Sequence, residues 1–171
     1  MFTKADAEAY FIGEKTGSLV FMIMGLVAIV AAALLFFYYK TPLTKGISIP
    51  LLVVALIHIS AGYVVYNRAD KQRADAIYNM DLNPDALQNR EVPRMEKVMK
   101  NFSLYRYVEI GLLIIGLAGF FWLRQQPEKQ FLAGICLGLA IQALISFGGD
   151  WAAEKRADKY LKGISSYLHA H

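Results

Sequence analysis

The chain has 171 residues, of which 56% are hydrophobic and 19% charged, and its formal net charge is +4. The apolar fraction is high for a soluble domain, and the excess is concentrated in four blocks. The positive residues are interleaved with Asp and Glu rather than gathered in one run, so we expect no nucleic-acid partner.

The four apolar blocks predict four transmembrane helices. They cover residues 17–39, 46–66, 104–123 and 131–149. Each block is close to the roughly 20 residues that a helix needs to cross the hydrocarbon core. A backbone in lipid must satisfy its own hydrogen bonds, which favours helices over irregular structure. We therefore predict an all-α integral membrane protein, a four-transmembrane-helix bundle built as two helical hairpins, with residues 1–171 forming a single membrane domain.

The segment before the first block predicts a short helix over residues 4–15. Thr3 and Asp6 have the spacing of a capping box, which marks a helix start. Acidic residues precede the apolar run, and that run is too long for the hydrophobic region of a signal peptide. We expect the first span to be retained.

The long middle segment predicts helices that extend beyond the membrane. Residues 67–79 contain no helix breaker, Asn83 and Pro84 mark a new helix start, and Pro93 predicts a further restart. After Pro93, one apolar face follows the i, i+3, i+4, i+7 pattern of a helix. It consists of Met95, Val98, Met99 and Phe102.

All predicted extensions, residues 4–15, 67–103 and 150–168, lie on one side of the membrane. Fourteen of the eighteen Lys and Arg residues are on that side. The positive-inside rule then predicts that both termini are cytoplasmic, in a bacterial inner membrane. The apolar faces of the extensions favour a small cytoplasmic helical cap over helices lying flat on the headgroups.

Short matches between the two halves indicate a weak tandem repeat. Residues 73–75 and 156–158 both read Arg-Ala-Asp, and the Ser-x-Gly sequence of residues 60–62 recurs at 146–148. These matches favour two hairpins related by an axis along the membrane normal.

Seven polar residues lie in or beside the predicted spans, where ionisable groups are costly and face a partner or the bundle interior. They are His58, Ser60, Tyr63, Arg106, Glu109, Gln142 and Asp150. One hypothesis is a cytoplasm-facing binding pocket or proton path that includes His58, Glu109, Gln142 and Asp150. The other is a satisfied hydrogen-bond network, with Glu109 bonded to Arg106 or a tyrosine and His58 bonded to Gln142 or Ser60.

Small residues predict surfaces for close helix packing. On the fourth span Gly134, Gly138 and Ser146 fall on one helix face, followed by Asp150. Gly25 on the first span and Gly116 and Gly119 on the third have the same potential. Such residues allow backbones to approach closely, either within the chain or between chains.

The sequence carries no catalytic motif, and we expect no cofactor and no bound metal. His58 alone lies within a span, while His169 and His171 belong to the tail. One span histidine and one glutamate form an incomplete metal site. Cys136, the only cysteine, is interpreted as a small apolar residue.

Three functions remain open. The preferred one is a non-enzymatic membrane protein that acts by binding and assembly, as an accessory subunit or an immunity-type protein. Its partners would be membrane lipids and either itself or another membrane protein. The second is a small oligomeric ion or proton channel or transporter that uses His58 and Glu109. The third and weakest is an intramembrane enzyme acting on a lipid or quinone, with the same two residues as acid and base.

Overall fold

The structure, a computed structural model, describes residues 2–169, and all the regular structure in that range is helical. The long helices are α1 (Lys4–Ala33), α2 (Pro42–Leu82), α4 (Val92–Leu123) and α5 (Gln130–His169). The short helix α3 (Pro84–Ala86) lies between α2 and α4. Wide π-type turns, Leu34–Tyr39 and Leu87–Glu91, follow α1 and precede α4, and a 3₁₀ turn, Pro127–Lys129, precedes α5.

The helix starts follow the local sequence signals. Thr3 and Asp6 form the predicted capping box at the start of α1, because each side chain accepts a backbone hydrogen bond from the other residue. Asn83 caps α3, and Pro84 occupies its first position. Lys40 alone among the non-glycine residues described has a positive φ, 58°, and this left-handed residue turns the chain from α1 into α2.

The predicted restart at Pro93 coincides with the start of α4 at Val92, but it does not interrupt the helix. The helix continues from Pro84 to Leu123 through the wide turn Leu87–Glu91. Proline has no N–H to donate to the carbonyl group one turn earlier in a helix. This missing hydrogen bond is tolerated in the first helical turn or next to a π-type turn. Pro93 is in the first turn of α4, directly after that wide turn, so the helix axis continues.

In the half of the bundle near the two short loops, the helices stand in the order α1–α2–α5–α4. Helix α1 packs mainly on α2, α4 mainly on α5, and α2 and α5 pack on each other. On α5, Gly134 faces α2, whereas Cys136 faces α4. Two residues are about 200° apart around a helix, so α2 and α4 lie on opposite sides of α5.

At the other end the helices converge in a closed cluster that we call the cap, formed by residues 4–16, 67–103 and 150–169. Its core contains residues from all four long helices and the turn before α4. They are Ala7, Tyr10, Phe11, Ala76, Met80, Leu87, Met95, Ala157, Tyr160 and Ile164. The extensions therefore form a packed helical cap, as their apolar faces predict.

All four helical segments are long and apolar enough to span a membrane. Their apolar stretches are mostly uncovered by the rest of the chain: 11% of the residues are buried in the segments of α1 and α4, and 33% in that of α5. Exposed side chains such as Val27, Ile115 and Leu144 are the kind that lipid covers. The architecture is thus a helical bundle consistent with a membrane protein.

Candidate functional site

A row of polar side chains on α5 meets a partner at each helical turn. The row consists of Gln142, Ser146, Asp150 and Glu154, which are spaced four residues apart. Four residues rotate by about 400°, so each step moves the contact about 40° around the helix. The row therefore faces α2 at Gln142 and Ser146 and faces α4 at Asp150 and Glu154.

Gln142 and Ser146, the half of this row nearer the short loops, pair with α2. His58 Nε2 and Ser146 Oγ are 3.0 Å apart in a hydrogen bond, and the His58 ring lies edge-on to Phe21 with centroids 5.1 Å apart. Gln142 is buried and donates from Nε2 to the Leu51 carbonyl at 3.4 Å. The predicted bond of His58 to Gln142 or Ser60 is wrong, because His58 pairs with Ser146, one turn beyond Gln142 on α5.

Asp150 and Glu154, the half of the row nearer the cap, are the charged members. The carboxyl groups of Glu109 and Asp150 lie close together, because both side chains line the same small cavity. Arg106 Nη2 donates to Glu154 Oε1. Arg106 thus pairs with Glu154, and the predicted bond of Glu109 to Arg106 or a tyrosine is wrong.

Glu109 is 8% exposed, and its Oε2 has no hydrogen-bond partner among the described residues. This carboxyl lines a cavity of about 10 Å³ together with Asp150, Arg106 and Glu154. A volume of this size accommodates about one water molecule. Glu109 and Asp150 therefore form a nearly enclosed acidic pair at the inner edge of the cap.

Two of the predicted binding residues point away from this region. Ser60 is exposed, and Tyr63 is 61% exposed on the outside of α2. The structure therefore brings together Glu109, Asp150 and Arg106, and separately His58 and Ser146, but it does not gather all seven predicted residues into one pocket.

The glycines of α5 close the contact with α2. A Cβ atom on Gly138 would lie 2.6 Å from Pro50 Cγ, and one on Gly134 would meet the Leu43 carbonyl and lie 3.0 Å from Gly46 Cα. These positions leave no room for a side chain. The two helices touch backbone to backbone here, a contact that is typical of tightly packed membrane helices.

The remaining predicted packing glycines also lie in contacts within the chain. A Cβ on Gly116 would be 2.7 Å from the Cys136 carbonyl, and one on Gly119 would be 2.7 Å from Cys136 Sγ. On α1, a Cβ on Gly25 would be 2.9 Å from the Ala55 carbonyl. Gly116 and Gly119 thus serve the α4–α5 contact, and Gly25 serves the α1–α2 contact.

The cap also holds a charged network that the sequence did not indicate. Arg94 donates from Nε and Nη2 to the two oxygens of Glu91, both at 2.7 Å, and Tyr160 donates to Glu91 Oε1 at 2.9 Å. The Tyr160 ring stacks on Tyr10 with centroids 4.1 Å apart. The i, i+3 spacing of Glu91 and Arg94 could have suggested the pair, but nothing local points to the two tyrosines.

Burial shapes the titration of this network. It raises the pKa of the Tyr160 phenol above its usual range, and the neighbouring Glu91 carboxylate raises it further. Burial also raises the pKa of Glu14, although Arg68, with Nη2 3.6 Å from Glu14 Oε1, acts in the opposite direction. The pairs Glu91–Arg94 and Glu14–Arg68 place opposite charges together beside the apolar core, although Glu14 Oε2 and Arg94 Nη1 have no hydrogen-bond partner among the described residues.

No group of three or more His, Cys, Asp or Glu side chains within residues 2–169 has a metal-binding arrangement. Comparison with known proteins finds no matching family model, no matching curated protein and no matching solved structure. Any functional statement must therefore come from the geometry of the chain itself.

Proposed function

We propose that the protein is a non-enzymatic membrane protein that binds another membrane protein, as an accessory subunit or an immunity-type protein. The supporting observation is the row order α1–α2–α5–α4, which leaves two end helices with little cover. In their apolar stretches only 11% of the residues are buried. Each end helix thus offers a broad face that a transmembrane helix of a partner can cover.

The chain's own packing supports this proposal. The small residues that permit close helix contact are used inside the chain, at Gly25, Gly116 and Gly134 among others. The close helix contacts are therefore complete within the chain, and a partner can bind without changing them. On the outer face of α4, a Cβ on Gly111 would meet nothing within 4 Å, so a neighbouring backbone has room to approach there.

The test is intact-assembly mass spectrometry after extraction from native membranes in mild detergent. We expect a stoichiometric complex with a foreign membrane protein. A photo-crosslinking residue at Val27 on α1 or Ile115 on α4 should then give one discrete protein adduct. The matched control is Leu144 on α5, which is equally exposed but lies on a central helix.

The same experiment has two outcomes that contradict the proposal. Lipid adducts alone at all three positions would mean that the end helices face only the bilayer. A homo-oligomer without a foreign protein would instead favour the second candidate function, an oligomeric channel or transporter.

The second candidate is a small oligomeric proton or ion channel or transporter. The polar row of α5 favours it, because it places the His58–Ser146 pair one helical turn from the Glu109–Asp150 pair. Ionisable groups placed in this way inside a membrane commonly mark proton relays. Four helices in a row do not enclose a passage, so conduction requires self-association.

This candidate predicts that His58→Ala and Glu109→Gln abolish proton flux into liposomes while the fold is retained. The control is Ser60→Ala, which alters an exposed polar group on the same helix as His58. Flux that is the same in all three variants as in the unmodified protein would exclude the role.

A further inference from the structure

An open groove of about 340 Å³ runs between α4 and α5, where the predicted span ends and the cap begins. Its lining includes Phe147, Trp151, Lys155 and Asp158 of α5 and the ion pair of Arg106 with Glu154. The volume lies in the range of small-molecule sites. The groove adjoins the Glu109 cavity, because Arg106, Phe147, Trp151 and Glu154 line both.

The chemistry of the groove changes in a fixed order along α5. Phe147 lies deepest towards the predicted bilayer, and Trp151 follows one turn further out; then come Glu154, which is paired with Arg106, next Lys155, and last Asp158. The eleven steps from Phe147 to Asp158 span about 16 Å along the helix axis. An apolar end is thus followed by an internal ion pair, then by a cation and then by a carboxylate. A phospholipid presents the complementary order: acyl chain, phosphate and then headgroup substituent.

The charges of the groove are balanced. Arg106 and Lys155 are the cations, and Glu154 and Asp158 are the anions. The Lys155 ammonium lies 3.6 Å from the centre of the Trp151 ring and forms no ion pair with any residue from 2 to 169 that meets the distance criterion for a salt bridge. Asp158 pairs with Lys162 through Oδ2 at 2.6 Å. Lys155 is thus the one lining charge without an ion pair among residues 2–169 and is free for a phosphate, whereas the exposed Asp158–Lys162 pair is weak enough to be exchanged for a ligand ammonium.

We propose that this groove binds a phospholipid with a primary-amine headgroup, of the phosphatidylethanolamine type. The phosphate lies against Lys155 and Arg106, the acyl chain follows Phe147 and Trp151, and the ammonium donates to Asp158. A primary ammonium has three N–H donors, whereas a choline group has none, so the carboxylate distinguishes the two. The inference rests on the proposed location in a membrane but not on the proposed protein partner.

The two tryptophans of the chain allow a direct test. Trp151 lines the groove, whereas Trp122 lies at the other end of the predicted span and is 74% exposed. The variant Trp122→Phe isolates the signal of Trp151, and Trp151→Phe isolates that of Trp122. Each full-length variant is reconstituted in phosphatidylcholine vesicles containing phosphatidylethanolamine, phosphatidylcholine or phosphatidylglycerol brominated near the top of the acyl chains.

We expect Trp151 to be quenched to half its maximum at a mole fraction of phosphatidylethanolamine about fivefold lower than of either other lipid, the effect of roughly one charged contact near a membrane surface. Trp122 should be quenched equally by all three lipids. In the Trp122→Phe background, Asp158→Asn and Lys155→Gln should each reduce the preference, and Lys159→Gln, an exposed control outside the groove, should retain it.

Equal quenching of Trp151 by the three lipids, or a preference for phosphatidylglycerol, would overturn the proposal. Failure of the membrane location itself gives a different result, because the brominated lipids would then quench neither tryptophan.

Discussion

The two ends of the four helices are held together by different kinds of contact. Near the short loops the helices stand in a row, and α2 and α5 touch backbone to backbone at Gly46 and Gly134. In the cap, side chains from all four long helices surround the stacked rings of Tyr10 and Tyr160. Small residues make the first contact, and large aromatic residues make the second.

The difference follows from the proposed solvent of each end. Lipid is as apolar as a leucine side chain, so helices in a bilayer gain little from burying apolar surface and associate through close packing instead. In water, burial of large apolar side chains is the dominant favourable contribution. The charged pairs of the protein fit this division, since Glu91–Arg94 and Glu14–Arg68 are in the cap and Arg106–Glu154 is at its boundary.

The largest expected effect comes from filling the glycine contact. Gly134→Val should prevent α2 and α5 from packing and cost about 3 kcal/mol or more, because the added atoms meet backbone that cannot move aside. Thermal unfolding in mild detergent measures the loss. Gly148→Val is the matched control on the same helix, where a Cβ meets nothing within 4 Å. Equal stability of the two variants would show that the row does not depend on close approach.

The cap should lose stability when a large buried side chain is truncated. Tyr160→Ala removes a side chain that is 1% exposed and should cost about 3–5 kcal/mol. Tyr160→Phe keeps the ring but removes the donor to Glu91, with an expected cost of about 1–3 kcal/mol. Thermal unfolding of the three proteins gives the order. Tyr78→Ala, which truncates an exposed cap residue, should stay within about 0.5 kcal/mol of the unmodified protein.

The polar contact between α2 and α5 should contribute less. His58→Ala and Ser146→Ala, made singly and together, should give a coupling energy of about 0.6 kcal/mol, the average for side-chain hydrogen bonds between membrane helices. A double-mutant cycle in detergent measures this value. Ser60→Ala in place of Ser146→Ala should show no coupling to His58, and a coupling as large as that of Ser146 would contradict the pairing.

The smallest effect is a pH dependence in the cap. The pKa of Glu14 is raised in the folded protein, so its contribution to stability is fully present below the unfolded pKa and is lost as pH rises through the folded pKa. Glu14→Gln removes this dependence. The melting temperature of the unmodified protein should therefore fall relative to that of Glu14→Gln between pH 4 and pH 7, a range that begins near the unfolded pKa of about 4.3. A constant difference would mean that Glu14 is not desolvated.

Local signals allowed the sequence to predict the helices and their starts, because hydropathy, the capping box and Asn83–Pro84 act within a few residues. The pairing between helices was not predictable in the same way. A four-residue row rotates by about 40° at each step, so Ser146 and Asp150 face different helices although they appear equivalent in the sequence. The wide turn before Pro93 likewise has no local signature. The tandem repeat remains a prediction.

The division into a lipid end and an aqueous cap is tested most directly by cysteine accessibility in sealed vesicles. Single cysteines at Gln125, Ile115 and Gln88, all exposed in the fold, are introduced into a Cys136→Ala background. We predict that an impermeant maleimide labels Gln125→Cys only from the outside and Gln88→Cys only from the cytoplasmic side, and does not label Ile115→Cys from either side. Labelling of Ile115→Cys in intact vesicles, or of Gln125→Cys and Gln88→Cys from the same side, would contradict a lipid end and an aqueous cap.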